Sequence, residues 1–89
     1  MTYTVSIVGA GIGAAHMEGF AALPDRFHVK NICELNEVRG RSLADRYESV
    51  GSTNDLSAVL ADPEIDVVDI CLPPHLHFRF CMDALDAGK

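Results

Sequence analysis

Three glycines fall within five residues, at Gly9, Gly11 and Gly13, directly after the apolar run Val5-Ser6-Ile7-Val8. Glycines in that position can do chemistry through what they lack. Gly9 can take the tight turn that leaves a strand, and Gly11 offers bare backbone that a pyrophosphate can approach. A small residue beyond, Gly13 or Ala14, lets a helix pack close against a sheet. The free N–H groups and positive dipole end of a helix starting near Ile12 then favour a phosphate. The spacing Gly9-x-Gly11-x-x-Ala14 fits the dinucleotide fingerprint, a weak signal alone because a flexible loop is the plain alternative. Glu34 strengthens it. It follows an apolar run roughly twenty residues beyond the glycines, where a carboxylate can accept both hydroxyls of an adenosine ribose. Its charge repels a 2′-phosphate, which favours NAD over NADP. Arg39 is a counterweight only if it turns toward the ribose, and the ordinary alternative for Glu34 is a solvated acid at a strand end.

A second constellation is Cys71-Leu72-Pro73-Pro74-His75-Leu76-His77. Ligands of open α/β sheets sit outside the carboxyl ends of the strands, near the point where strand order reverses. Leu72, Pro73 and Pro74 would form a wall there against a flat ring, since successive prolines hold the backbone without offering donors. His77 would open the next helix facing the same crevice, or else be a half-exposed histidine at a helix start. His16 reads as a helix residue packed over the glycine turn rather than a catalytic group, and His28 has no evident partner. His75, His77 and Cys71 are zinc-ligand types, but their spacing matches no standard arrangement.

These residues need elements to position them. Thr4–Val8, His28–Cys33 and Val67–Leu72 are β-branched or apolar runs that predict strands, with room for a short extended piece around Gly51–Thr53. Helices are expected between them. One carries Ile12, His16, Phe20 and Leu23 on a stripe ended by Pro24. A second, over Glu37–Tyr47, has Val38, Leu43, Ala44 and Tyr47 for its buried side. A third is capped by Asn54 or Asp55 and carries Leu56, Val59 and Leu60. The last has a stripe of Phe78, Cys81, Met82 and Leu85. Alternating strands and helices predict right-handed crossovers and a Rossmann-type α/β fold. This is a doubly wound parallel sheet, incomplete at about four strands.

Eighty-nine residues allow one domain, and 48% hydrophobic with 22% charged residues is a globular balance. The formal charge of −6 with seven scattered basic residues argues against a nucleic-acid surface or an anionic membrane. Arg39 and Arg46 read as part of a solvated helix face. No run approaches a membrane span, and the first residues lack a signal-peptide pattern. Three cysteines without CxxC spacing, two of them in apolar runs, predict buried thiols in a reducing cytoplasm.

The combination Gly-Ala-Gly-Ile-Gly-Ala-Ala-His at 9–16, Ile-Cys-Glu at 32–34 and Asp-Val-Val-Asp-Ile-Cys-Leu-Pro-Pro-His-Leu-His at 66–77 resembles the N-terminal part of Gfo/Idh/MocA oxidoreductases. Leu-Ala-Asp-Pro-Glu-Ile-Asp at 60–66 and Asp-Ala-Gly-Lys at 86–89 fit the same pattern, so the resemblance covers essentially the whole chain. It implies a Rossmann domain binding NAD or NADP, followed in such proteins by a substrate domain for a sugar or polyol. The implied reaction is reversible hydride transfer to and from a secondary alcohol carbon, often in homo-oligomers. Gly9, Gly11 and Gly13 match the family's phosphate turn, Glu34 its acidic ribose ligand, and Pro73, Pro74 and His77 the loop flanking the nicotinamide. The turn departs from the commoner pattern by being one residue shorter before the Ile-Gly pair.

The family's Glu-Lys-Pro motif, whose lysine is implicated in catalysis, is expected beyond Lys89, as is the substrate domain. These 89 residues are therefore expected to hold no catalytic residue, to bind NAD(H) weakly and to turn nothing over alone. Two other classes compete. A methyltransferase-type S-adenosylmethionine site also uses a glycine turn and an acid after the second strand, but it usually has an acid just before the first glycine. A non-catalytic module, associating through the edge of the Val67–Leu72 strand or through the last helix, is the third reading.

Overall fold

A computed structural model describes residues 1–89. The first strand β1 (Tyr3–Val8) leads through the glycine turn into α1 (Gly13–Ala21), then β2 (Phe27–Cys33) and α2 (Glu37–Ala44). The short β3 (Gly51–Thr53), α3 (Leu56–Ala61), β4 (Val67–Ile70) and α4 (Pro74–Asp86) follow. All strand pairings are parallel and the order across the sheet is β3-β2-β1-β4. The order reverses between β1 and β4, so the crevice expected of a doubly wound sheet opens above Gly9 and Leu72.

Local chemistry accounts for most boundaries. Asn36 caps α2 by accepting from the Arg39 N–H at 3.1 Å, and Asp55, not Asn54, caps α3 by accepting from the Ala58 N–H at 3.2 Å. Pro74 occupies the first turn of α4, where its missing N–H is no loss. Pairing of β1 with β4 continues past the strand end, with the Cys71 N–H on the Val8 carbonyl at 2.7 Å.

The sheet is packed on both faces. Val5, Ile7, Val29, Ile32 and Cys71 meet Met17 of α1 and Leu43 and Ala44 of α2, while Val8 and Cys33 meet Val59 and Ile65 on the other side. Strict alternation along β2 would set Val29 and Cys33 on one face. Instead Val5 pairs with Val29 and Ser6 with Asn31, leaving Lys30 as an extra residue. That bulge reverses the alternation, so Val29 and Ile32 share a face and Cys33 turns to the other. It also brings Asn31 beside fully buried Ser6, whose hydroxyl donates to Asn31 Oδ1 at 2.5 Å.

The expected faces of α1 and α4 are corrected, whereas α2 buries Leu43 and Ala44 as expected, with Tyr47 beyond it half-buried, but not Val38. In α1 the buried residues are Gly13 and Met17, whereas Ile12 and Leu23 are exposed. In α2 Val38 is exposed and Gly40 is buried, because the helix lies too close to Glu34 and Ser52 for a side chain at that position. In α4 the inward line is Leu76, Phe80 and Ala84, and Phe78, Met82 and Leu85 face out. In α1 and α2 close approach at Gly13 and Gly40, not side-chain size, sets the seat of the helix. A small residue marks the face where backbone approaches backbone. No helix is long and apolar enough to cross a membrane.

Candidate functional site

The glycine turn is built by close approach. Gly9 has φ +104°, and a Cβ there would sit 2.5 Å from the Cys71 carbonyl oxygen. A Cβ on Gly13 would lie 2.8 Å from Ile7 Cγ2, so Gly13 rather than Ala14 lets α1 seat on the strand. Gly9 N–H donates to the Cys33 carbonyl at 2.9 Å and Ala10 N–H to Glu34 Oε1 at 3.0 Å. The next three N–H groups, of Gly11, Ile12 and Gly13, donate to no protein group. They sit at the positive end of α1, an arrangement suited to an anion with several oxygens.

Glu34 stands directly beside this turn. Its second oxygen accepts from the Asn36 N–H at 3.1 Å, and the Arg39 Nε lies 3.9 Å from Oε1. Burial pushes this carboxyl up, but the Ala10 and Asn36 N–H groups, with the Arg39 guanidinium, outweigh it and hold it below the usual glutamate value. The group is a carboxylate at neutral pH, with lone pairs left for further donors. Arg39 is exposed on the helix face, as expected, and it also turns toward Glu34. Its guanidinium extends across the turn, to 2.6 Å from where a Gly11 Cβ would stand, while remaining more than half exposed.

Gly9, Gly11, Ile12, Glu34, Leu72 and Pro73 line one cavity of about 430 Å³, together with Arg39 and Cys71. A narrower apolar cleft of about 110 Å³ continues from Glu34 between Leu35, Asn54, Leu56, Leu72 and Leu76. Leu35 was not singled out from sequence and Asn54 only as a candidate helix cap, since a leucine after a strand and a loop asparagine carry no spacing signal for a site. Gly13 lies beneath the turn, and Pro74 and His77 do not line the cavity. His77 Nε2 instead donates to the Leu72 carbonyl at 2.6 Å, which ties the proline loop to α4.

The structure does not assemble His75, His77 and Cys71 into a ligand cluster. The three-residue cluster it does hold is His16, Asp69 and Cys71. Burial and the Asp69 charge push the Cys71 thiol up to about 12, and burial pushes Cys33 up to about 11, so both are neutral thiols. All three cysteines are free.

Residues 3–89 match the family model of an oxidoreductase family with an NAD-binding Rossmann fold, the Gfo/Idh/MocA group. The chain belongs to that family. Among its Gfo/Idh/MocA relatives are levoglucosan dehydrogenase of Pseudarthrobacter phenanthrenivorans and an uncharacterized oxidoreductase, YrbE, of Bacillus subtilis. The first is 37% identical over 93 aligned positions, covering 96% of this chain and 24% of the relative. The second is 33% identical over 84 positions, covering 93% and 24%. The solved structure of GenD2 from gentamicin A biosynthesis, in complex with NAD, superposes with a TM-score of 0.92 at 28% identity, covering 99% of this chain and 25% of that one. Levoglucosan dehydrogenase in complex with NADH and levoglucosan superposes at 0.88 with 34% identity, covering 100% and 26%. The chain thus spans about a quarter of the length of these Gfo/Idh/MocA proteins, and the part matched is their NAD-binding Rossmann fold. The adenosylmethionine reading is not favoured by this membership.

Proposed function

We propose that Gly9, Gly11, Ile12, Gly13, Glu34, Leu72, Pro73, Pro74 and His77 hold NAD in an oxidoreductase that acts on a secondary alcohol of a sugar or polyol. The observation that carries this reading is the carboxylate of Glu34, 3.0 Å from the Ala10 N–H within the glycine turn. A diphosphate on the free N–H groups of Gly11, Ile12 and Gly13 leaves its adjoining ribose beside that carboxylate. The cleft lined by Leu35, Leu56 and Leu76 is apolar and suits an adenine. Leu72 and Pro73 close the cavity on the β4 side, where a nicotinamide would rest, and His77 with Pro74 holds that wall in place through the Leu72 carbonyl.

Bound there, NAD would supply hydride acceptance and donation. The residues named bind and orient. None of them handles the hydroxyl proton in this reading. The glycine turn neutralises diphosphate charge with N–H dipoles, and Glu34 grips the ribose hydroxyls and excludes a 2′-phosphate by charge. Three free thiols, two of them buried, suit a cytoplasmic protein, and the relative named levoglucosan dehydrogenase supports a sugar or polyol substrate. A homo-oligomer is part of the same proposal.

NADH fluorescence tests the reading. Titration should enhance or shift the cofactor's emission, and Glu34→Gln should weaken binding by about tenfold, the loss of hydrogen bonds to a charged group. Absence of any response up to about millimolar NADH would remove the proposal.

A further inference from the structure

Three side chains given no role in holding NAD, of which Cys71 also borders the cofactor cavity, converge on the flank of the sheet where α1 crosses β4. His16 projects from the first turn of α1. Asp69 lies on β4 and Cys71 two residues on, so both point toward α1. His16 Nδ1 is 2.7 Å from Asp69 Oδ2 and 3.3 Å from Cys71 Sγ, and all three ligand-type atoms lie within 4.8 Å of one another. The imidazole nitrogen faces both neighbours, and the thiol also reaches the same carboxylate, so three ligand types close on one point. A cation at that point accepts an electron pair from each atom at once.

We propose that His16 Nδ1, an Asp69 carboxylate oxygen and Cys71 Sγ form a binding site for a divalent cation of the zinc class. A nitrogen, an oxygen and a sulfur in one set suit zinc, whereas hard cations such as magnesium and calcium take oxygen ligands. Tetrahedral zinc at ordinary bond lengths holds nitrogen and oxygen about 3.3 Å apart, and nitrogen and sulfur about 3.6 Å apart. The present separations need open only by about half an ångström to reach those values. His16 is exposed, Asp69 partly so and Cys71 buried, so the ion enters past the imidazole and keeps a water in its fourth position. On binding, the thiol proton passes to solvent and sulfur ligates as thiolate, while the imidazole keeps its proton on Nε2. The site lies under the glycine turn, since a Cβ on Gly13 would stand 3.7 Å from Cys71 Cβ. An ion there clamps α1 to β4 beside the phosphate turn.

Cobalt(II) is the probe, since thiolate ligation gives a near-ultraviolet charge-transfer band. One equivalent should raise the band in the intact chain, zinc should bleach it, and excess magnesium should not. His16→Ala, an exposed position that leaves the core untouched, and the near-isosteric Cys71→Ser should each weaken binding by about tenfold or more. Cys81→Ser and His75→Ala should leave it unchanged. Lack of a band in the wild-type chain, or a band that survives Cys71→Ser or His16→Ala, overturns the proposal. The readout is independent of NADH binding, so the two proposals stand or fall separately.

Discussion

At the residue scale, Gly9 and Glu34 carry the most. Gly9 combines a positive φ with a neighbour 2.5 Å from any added Cβ, and that neighbour is backbone that cannot swing aside. Gly9→Ala should therefore lower unfolding stability by about 3 kcal/mol or more, read by chemical denaturation, and weaken NADH binding with it. Glu34 makes a different prediction. Removing its charge should reduce the preference for NADH over NADPH, because Arg39 already lies 3.9 Å away and would be left to meet a 2′-phosphate. Competitive titration of the two cofactors against Glu34→Gln checks this, and an unchanged ratio would count against the ribose assignment. The carboxylate also acts on stability. Its folded pKa lies below its unfolded value of about 4.3, so its contribution is present above that pH and is lost as pH falls through the lower value. The stability gap between the native chain and Glu34→Gln should accordingly shrink in acid denaturation below about pH 4.

At the scale of elements, the strands, the α3 cap, the α3 face with Leu56 and Val59 and most of the α2 face were legible, and the faces of α1 and α4 were not. The Val67–Leu72 and Thr4–Val8 runs are recognisable because β-branched residues crowd together and end at proline or glycine, and the strands there span Val67–Ile70 and Tyr3–Val8. Asp55 is recognisable as a cap by type, and Asp55→Ala should lower stability by about 1 kcal/mol in thermal or chemical unfolding. The β2 bulge at Lys30 leaves no mark in residue type. It arises because Ser6 and Asn31 hydrogen-bond across the ladder while Ile32 reaches the α1 and α2 side. The helix stripes misled for a related reason. Periodicity finds the large residues of α1 and α4, but contact with a twisted sheet is set by where Gly13, Met17 and Ala84 permit close packing.

For the whole molecule, one surface is conspicuous. Phe78, Met82 and Leu85 stand exposed on α4, and β4 pairs on one side only, with β1. Such an apolar face beside an open strand edge favours association. Light scattering at tens of micromolar should show species larger than a monomer, and Phe78→Lys with Leu85→Lys should shift the distribution to monomer. A clean monomer in the unsubstituted chain would set this aside. The sequence by itself determined the Rossmann class, the glycine turn, the acid proposed to meet the ribose, and the family. Those depend on residue types whose local physics acts at short range: bare backbone, a β-branched run, a capping carboxylate. Only the tertiary structure decided that the Glu34 carboxylate meets the Ala10 N–H, that Arg39 lies across the turn, and that His16, Asp69 and Cys71 share one corner. Those juxtapositions depend on strand order and on the bulged register, which bring together residues more than twenty positions apart.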